Sequence, residues 1–347
     1  MEHGDLLLDE AASFGSDAGR GNLLGIEPYV VAEDYLTSGA LYSRLDAYLR
    51  CAQERGWVQS RTIVVLPEYL GTWLVACGES LRVVRARTLK AAMAALVARH
   101  VLRFSGAYLA SREKDRATAA VFRMRAPIMA REYQEQFSGL ARSYRVTLVA
   151  GSILLPDPRV EQGQITLGSG PLFNVTAVFA PDGEVHPDLV RKVYPIGAEL
   201  GFVAPGRLEA LPAFETPAGR LAVLICADSW YPAAYARLRQ MGAELLAVPS
   251  AVTQSGLWNT PWRGYDGAAA PADVDPRDVG CLTEGEAWLK YALAGRMRQA
   301  GARAGINVFL RGALWDLGAD TGRGTLVLGQ SVVQGRGGRG ALLNLWL

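Results

Sequence analysis

The chain has 347 residues, half of them hydrophobic and 20% charged, with a net charge of +2, which excludes a disordered chain and one that binds polyanions through its overall charge. Four cysteines, Cys51, Cys77, Cys226 and Cys281, lie far apart without metal-type spacing, and the histidines His3, His100 and His186 are scattered. Neither a disulfide framework, a metal centre nor a cofactor is therefore expected, and the reduced setting of the cytoplasm is the default.

Residues 1–20 carry Glu2, Asp5, Asp9 and Glu10 around Leu6, Leu7 and Leu8, too short and too acidic for a secretory signal, and are read as a flexible tail before one domain spanning 21–347. Short β-branched runs then alternate with stretches of helical period. This is the pattern of an α/β protein whose strands are buried on both faces. Strands are expected at 23–31, 62–66, 146–154, 172–179, 221–225, 245–248, 306–310 and 325–333, the last with a turn at Gly329. Helices are expected at 38–55, 89–108, 119–144, 232–241 and 286–304. Pro181-Asp182-Gly183 and Pro217-Ala218-Gly219 supply turn chemistry for hairpins, so the sheets should be mixed.

The second helix sets Leu89, Met93, Val97, Val101, Phe104 and Tyr108 on one face, a stripe read as core. It is too interrupted by Arg99, His100 and Arg103 to cross a bilayer. It belongs to an inserted segment, 82–131, with twelve Lys or Arg against Glu113 and Asp115, a local charge of about +10. These cations are either solvated or paired within the molecule, or else they meet a nucleic acid or another anionic surface. A second insertion, 252–285, is rich in Gly, Pro, Asp and Trp and reads as a long loop of the kind that shapes a site. Gly335 to Gly340 form a glycine-rich run without a following helix, which is expected to be an exposed terminal turn rather than a phosphate loop.

Three places carry chemistry. The apolar run 221–225 stops at Cys226, and Pro232 is placed to open a helix, so a strand-to-helix turn presents the thiol to backbone N–H groups. Leu66-Pro67-Glu68 ends another strand with a carboxylate, because Pro67 cannot donate to a sheet ladder. Arg191 and Lys192 return from the hairpin and point to opposite faces, so one cation faces inward. Each alone has an ordinary structural explanation: a buried small thiol, a solvated acid and a surface base. A Cys–His pair with His186 is the rival chemistry.

In this order, the three motifs resemble those of the nitrilase, or carbon–nitrogen hydrolase, superfamily: Leu66-Pro67-Glu68 its glutamate motif, Arg191-Lys192-Val193-Tyr194-Pro195 its lysine motif, and Ile225-Cys226-Ala227-Asp228 with Tyr231-Pro232 its cysteine motif. Phe173-Asn174-Val175-Thr176, Thr216 to Arg220, Gly242-Ala243-Glu244 and Val248 to Ala251 add to the match. The resemblance implies a four-layer α-β-β-α sandwich that pairs into a homodimer. It also implies Cys226 as nucleophile through a thioester, Glu68 as general base and acid, and Lys192 with the Ala227 backbone N–H as oxyanion stabilisers. Glu199 resembles a supporting second glutamate, and Tyr69, Trp230 and Tyr231 are expected around the substrate. True nitrilases generally show Trp-Glu after the cysteine, whereas this chain has Ala227-Asp228, so a small amide or carbamoyl substrate is favoured over a nitrile. The other alternative is an idle homologue that binds partners through the basic insertion. An ammonium about 4 Å from a thiol is worth on the order of 4 kcal/mol at an effective dielectric near 20, so Lys192 is expected to favour the thiolate before desolvation is counted.

Overall fold

The β-branched runs become strands buried at every position, among them Asn22–Glu27, Thr62–Val65, Thr147–Pro156, Leu172–Phe179, Leu245–Ser250 and Ala304–Phe309. The structure is a computed structural model that describes residues 6–319 and 322–347. One sheet has seven strands in the order Glu10–Phe14, Ala341–Trp346, Asn22–Glu27, Thr62–Val65, Thr147–Pro156, Leu172–Phe179 and Val190–Arg191. A second has six, in the order Ala213–Thr216, Gly219–Val223, Leu245–Ser250, Ala304–Phe309, Thr325–Leu328 and Ser331–Gln334, and two small sheets of three and two strands lie beside them. Both large sheets are mixed, each holding parallel pairs at its centre and antiparallel pairs toward at least one margin. The hairpins expected at Pro217-Ala218-Gly219 and Gly329 are present.

The helices are α1 (Ala40–Glu54), α2 (Leu81–Val84), α3 (Leu89–Arg99), α4 (Val101–Ala110), α5 (Arg116–Tyr144), α6 (Pro232–Gln240), α7 (Glu284–Tyr291) and α8 (Leu293–Ala300). Leu45 and Leu49 of α1 and Phe137 and Leu140 of α5 join Leu24, Val64 and Leu148 in one core on the outer side of the seven-stranded sheet. Leu23, Ile63, Val65 and Val149 turn the other way, toward Ile306 and Val308 of the second sheet. On that sheet's other face Leu246 packs with Leu238 of α6 and Met297 of α8. The result is the α-β-β-α sandwich. Gly25 marks how closely the sheets approach, since a Cβ there would sit 2.6 Å from side-chain carbons of both Ile306 and Val308. No described helix is long and apolar enough to cross a membrane.

Four expectations need correction. The first five residues lie outside the described residues, but Glu10–Phe14 is no tail: it pairs in parallel with Ala341–Trp346. That last strand follows the glycine-rich run directly. The run therefore leads into the sheet rather than to a free turn, and Asp9 and Glu10 accept backbone N–H bonds from Arg339 and Arg336. Both strands were obscured because their apolar runs are short and their partners lie more than 300 residues away in sequence.

The helix expected at 89–108 breaks at His100, and the one expected at 286–304 breaks at Ala292. At the first break, Glu79 takes His100 Nε2 at 2.8 Å and Arg125 Nη1 at 2.7 Å, and Arg125 also donates to the carbonyls of Val75 and Cys77. A buried acid and a buried base thus fix the corner between α3 and α4. The break also divides the apolar stripe, so that Val101 and Tyr108 face solvent instead of the core.

Candidate active site

Glu68, Lys192 and Cys226 leave three different strands and meet in one buried cluster. The Glu68 turn is set by a bulge in the neighbouring strand, where the register shifts between Val149 and Ser152. Gly151 in that bulge has φ +71°, and a side chain on it would strike the Pro67 carbonyl at 2.2 Å. Ser152 then accepts the Tyr69 N–H at 2.8 Å, and Tyr69 itself takes a left-handed φ of 62°. Pro67 ends the ladder, Gly151 makes room, and Glu68 turns inward.

Lys192 lies just beyond Val190–Arg191, and its N–H is held by the Asn174 carbonyl at 2.9 Å. Its Nζ donates to Glu68 Oε1 at 2.7 Å and to Glu199 Oε2 at 2.6 Å, all three side chains being at least 98% buried. Asn174 Nδ2 donates to both carboxylates at 3.0 Å. Glu199 also accepts the Ile196 N–H at 2.9 Å and the Tyr69 hydroxyl. Arg191 points the other way and pairs with Asp157.

Cys226 opens a 3-10 turn, Cys226–Trp230, after the strand Gly219–Val223, with φ at +48°. For a residue with a Cβ this is a strained conformation, costing on the order of 1–3 kcal/mol, of a kind that collects at functional sites. The thiol donates to the Ala251 carbonyl at 3.8 Å and lies close enough to Glu68 for each to shift the other. Ala227 occupies the second position of the turn, where a backbone N–H has no carbonyl partner within the turn. Asp228 locks the turn to the lysine segment: Oδ1 accepts the N–H groups of Val193 and Tyr194 at 2.9 and 2.8 Å, and Oδ2 that of Ile225 at 3.2 Å.

The electrostatics divide the two glutamates. Burial, only partly offset by Lys192, raises Glu68 above the ordinary carboxylate range. Burial also acts on Glu199, but Lys192 and the Tyr69 hydroxyl outweigh it and hold that carboxyl low. Lys192 is disfavoured as a cation by burial, yet Glu68 and Glu199 more than compensate and raise it. Cys226 departs from expectation: burial and then the Glu68 charge push its thiol well above the usual range, overriding Lys192. The resting sulfur is a thiol, because desolvation and the Glu68 carboxylate act against one ammonium. Burial pushes Asp228 up to about 7 despite its three backbone donors.

Other expected residues are placed differently. Tyr69 joins the cluster through Glu199 and lies in the wall of a cavity of about 630 Å³. Trp230 and Tyr231 do not line that cavity: Trp230 packs among Trp262, Tyr265 and Trp288, and Tyr231 between Tyr194 and Tyr265. Trp262 and Tyr265 come from the loop at 252–285, which accounts for part of its richness in aromatics. His186 packs edge-on against Phe214 and accepts the Asp188 N–H, well away from any pairing with sulfur. Asn174, Ser152 and Asp228 carry positioning bonds that no local pattern announced, although two of them lay inside the matched motifs.

A sequence model of the family described as carbon–nitrogen hydrolase matches residues 46–266. The nitrilase and fragile histidine triad fusion protein NitFhit of Caenorhabditis elegans is 28% identical over 144 residues, 37% of this chain and 30% of that protein. A deaminated glutathione amidase of Yersinia enterocolitica is 30% identical over 124 residues, 35% of this chain and 42% of that protein. The chain thus spans less than half of each of these relatives. Among solved structures, an amidase of the nitrilase superfamily from Nesterenkonia sp. AN1 shares the fold at TM-score 0.55 and 16% identity, covering 94% of this chain and 92% of that one. A form of that amidase carrying the acetamide moiety of fluoroacetamide at its active-site cysteine superposes with TM-score 0.55 at 15% identity, covering 96% and 93%. With the family's model spanning well over half of the sequence, and with the motif residues gathered in one buried cluster, the chain belongs to the carbon–nitrogen hydrolase family of the nitrilase superfamily.

Proposed function

We propose that the protein hydrolyses the carbon–nitrogen bond of a non-peptide amide or carbamoyl compound through a thioester on Cys226. The observation that carries this reading is a single ammonium, Lys192, shared at 2.7 and 2.6 Å between two buried carboxylates beside a thiol. Those carboxylates are pushed in opposite directions, Glu68 up and Glu199 down. Pairs of acids whose environments separate them in this way divide proton-transfer and charge-holding roles.

Because the thiol is protonated at rest, its proton passes to Glu68 as sulfur attacks the carbonyl carbon. The negative charge that grows on oxygen meets the Lys192 ammonium and the Ala227 N–H. Glu68 returns the proton to the departing nitrogen, the carbon–nitrogen bond breaks, and amine leaves. Glu68 then deprotonates a water that attacks the thioester, which collapses to acid and free thiol. Glu199 keeps its charge throughout and so keeps Lys192 a cation in a site where burial alone would neutralise it.

Ammonia release from a panel of amides, carbamoyl compounds and nitriles tests this reading. Release from amides by the native protein and none by Cys226→Ala is expected. Release from nitriles alone overturns the choice of bond, and undiminished turnover by the alanine variant overturns the nucleophile.

A second reading concerns the basic insertion as a contact for anionic surfaces. It is favoured by α4, which buries no residue and exposes Leu102 at 86% and Leu109 at 77%. Arg103, Arg112 and Lys114 lie on or just after it, and these three together with Arg82, Arg85, Arg87 and Lys90 of the same insertion form no ion pair with any described residue.

A further inference from the structure

The insertion supplies half of the residues that wall the cavity of about 630 Å³ beside the cluster, and the rest come from the segments around Tyr69, Leu154, Glu199, Thr253 and Leu317. Leu89, Met93 and Val97 of α3, Phe104 of α4, and Val121 and Phe122 of α5 form its roof and sides. The first four are the inward-facing members of the stripe that sequence periodicity assigns to solid core, so the insertion encloses space where a core would have filled it. The floor reaches Tyr69 and Glu199, which are bonded to each other and, through Glu199, to Lys192. Cys226 is not in the wall; the cavity meets the cluster from the Glu199 side.

Charge in the wall is confined to two side chains. Glu199 is already committed to Lys192, Asn174, Ile196 and Tyr69, and Lys90 lies exposed at the rim. A polar or ionised substituent entering here would lose its water and gain few partners, at a cost of roughly 1–3 kcal/mol for each unmatched group. An apolar substituent loses nothing and gains burial. The volume falls within the range of about 300–1,000 Å³ usual for pockets that enclose a whole organic ligand.

We propose that this cavity receives a long aliphatic or aromatic substituent of the amide that is cut, so that the insertion makes the enzyme selective for lipophilic amides. The proposal rests on the amide-hydrolase reading and narrows it. It sets this chain apart from an enzyme for a polar, anionic amide such as the deaminated glutathione for which the Yersinia relative is named.

The test uses two homologous series, primary amides from acetamide to decanamide and N-alkyl acetamides of matching length. In one series kcat/KM should rise by about fourfold per added methylene until the cavity is full, the figure that corresponds to about 0.8 kcal/mol per buried methylene. Which series rises tells whether the acyl or the amine side enters. Val97→Trp, which fills the space from the roof, should lower kcat/KM for the long members at least tenfold and leave acetamide unchanged. Calorimetry of the Cys226→Ala protein with decanamide and N-octylacetamide separates the two levels of the argument. Binding of either that Val97→Trp abolishes supports the cavity even where no amide is turned over. Flat rates along both series, or rates and binding that Val97→Trp leaves untouched, overturn it.

Discussion

Lys192 holds a position in which its own charge depends on its neighbours. Buried without Glu68 and Glu199, it would give up its proton; between them it is raised, and it returns the favour by lowering Glu199. Glu68 is the acid left high, so it must lose its proton before it can accept one from sulfur. Activity should therefore rise with pH as Glu68 ionises, with a midpoint above the ordinary carboxylate range of about 4.3. Glu68→Gln should lose roughly 10²–10⁴-fold in kcat and show no such rise, a pH–rate profile being the measurement.

Asp228 makes a different prediction, because its bonds are structural. Asp228→Ala strands three buried N–H groups and should cost at least about 1–3 kcal/mol at pH 5 by thermal or denaturant unfolding. The folded carboxyl titrates near 7 and the unfolded one near 3.8, so between those values the folded state holds the extra proton and stability falls as pH rises. The stability gap between native protein and Asp228→Ala should accordingly narrow across that window. Cys226, Glu68 and Lys192 were legible because each sits at the end of an apolar run with its own punctuation. Asn174 was not, since nothing local distinguishes an asparagine that bridges two carboxylates, 106 and 25 residues away in sequence, from one that caps a strand.

At the scale of elements, the strands and helices follow the hydrophobic period, and the departures occur where a tertiary contact overrides it. The run 89–108 has one apolar stripe, yet it becomes two helices because Glu79, from the turn before α2, captures His100 at the junction and Arg125 from α5. Glu79 is 7% exposed and Arg125 likewise. Removing the acid leaves a guanidinium in the interior with only backbone carbonyls, so Glu79→Ala should cost about 3–5 kcal/mol, the usual penalty for breaking a buried pair. The same change frees the corner between α3 and α4. Limited proteolysis should cut the variant near 100, at Arg99 or Arg103, under conditions in which the native chain survives. Equal protease resistance of the two would show that the corner is held by packing alone. The break at Ala292 follows the same logic in milder form, the first helix being fixed by its Thr283–Glu286 capping box and the second by Met297 in the sheet core.

Over the whole molecule, charge is distributed in a way that the net value of +2 conceals. Of the twelve cations in 82–131, Arg125 and Arg123 are drawn inward against Glu79 and Glu113, while the exposed Arg99 and Arg131 reach in to the buried carboxylates of Glu79 and Glu132. Arg116 donates to the Tyr108 carbonyl and lies over its ring, while the remaining seven form no ion pair with any described residue; Arg103, Arg112 and Lys114 lie on or just after α4, whose Val101, Leu102, Tyr108 and Leu109 fall within one arc of the helix and are all exposed. The sequence shows the charge excess plainly but not which cations are neutralised, since that depends on Glu79 and on the turn at 111–115. An amphipathic helix turned outward and bordered by cations has the composition of an interfacial one. A second copy of the chain packed on it about a two-fold axis would bring like charge against like charge. An anionic bilayer supplies both the apolar depth and the opposite sign, at about 1 kcal/mol per cation near the surface. The protein should therefore sediment with vesicles containing phosphatidylserine at low ionic strength and not with neutral phosphatidylcholine. It should dissociate as salt shortens the screening length from about 10 Å at 0.1 M to about 3 Å at 1 M. Leu102→Asp with Leu109→Asp should weaken binding at every salt concentration while leaving hydrolysis of acetamide unchanged. Absence of sedimentation with anionic vesicles at low salt would return the seven cations to the role of a solvated face.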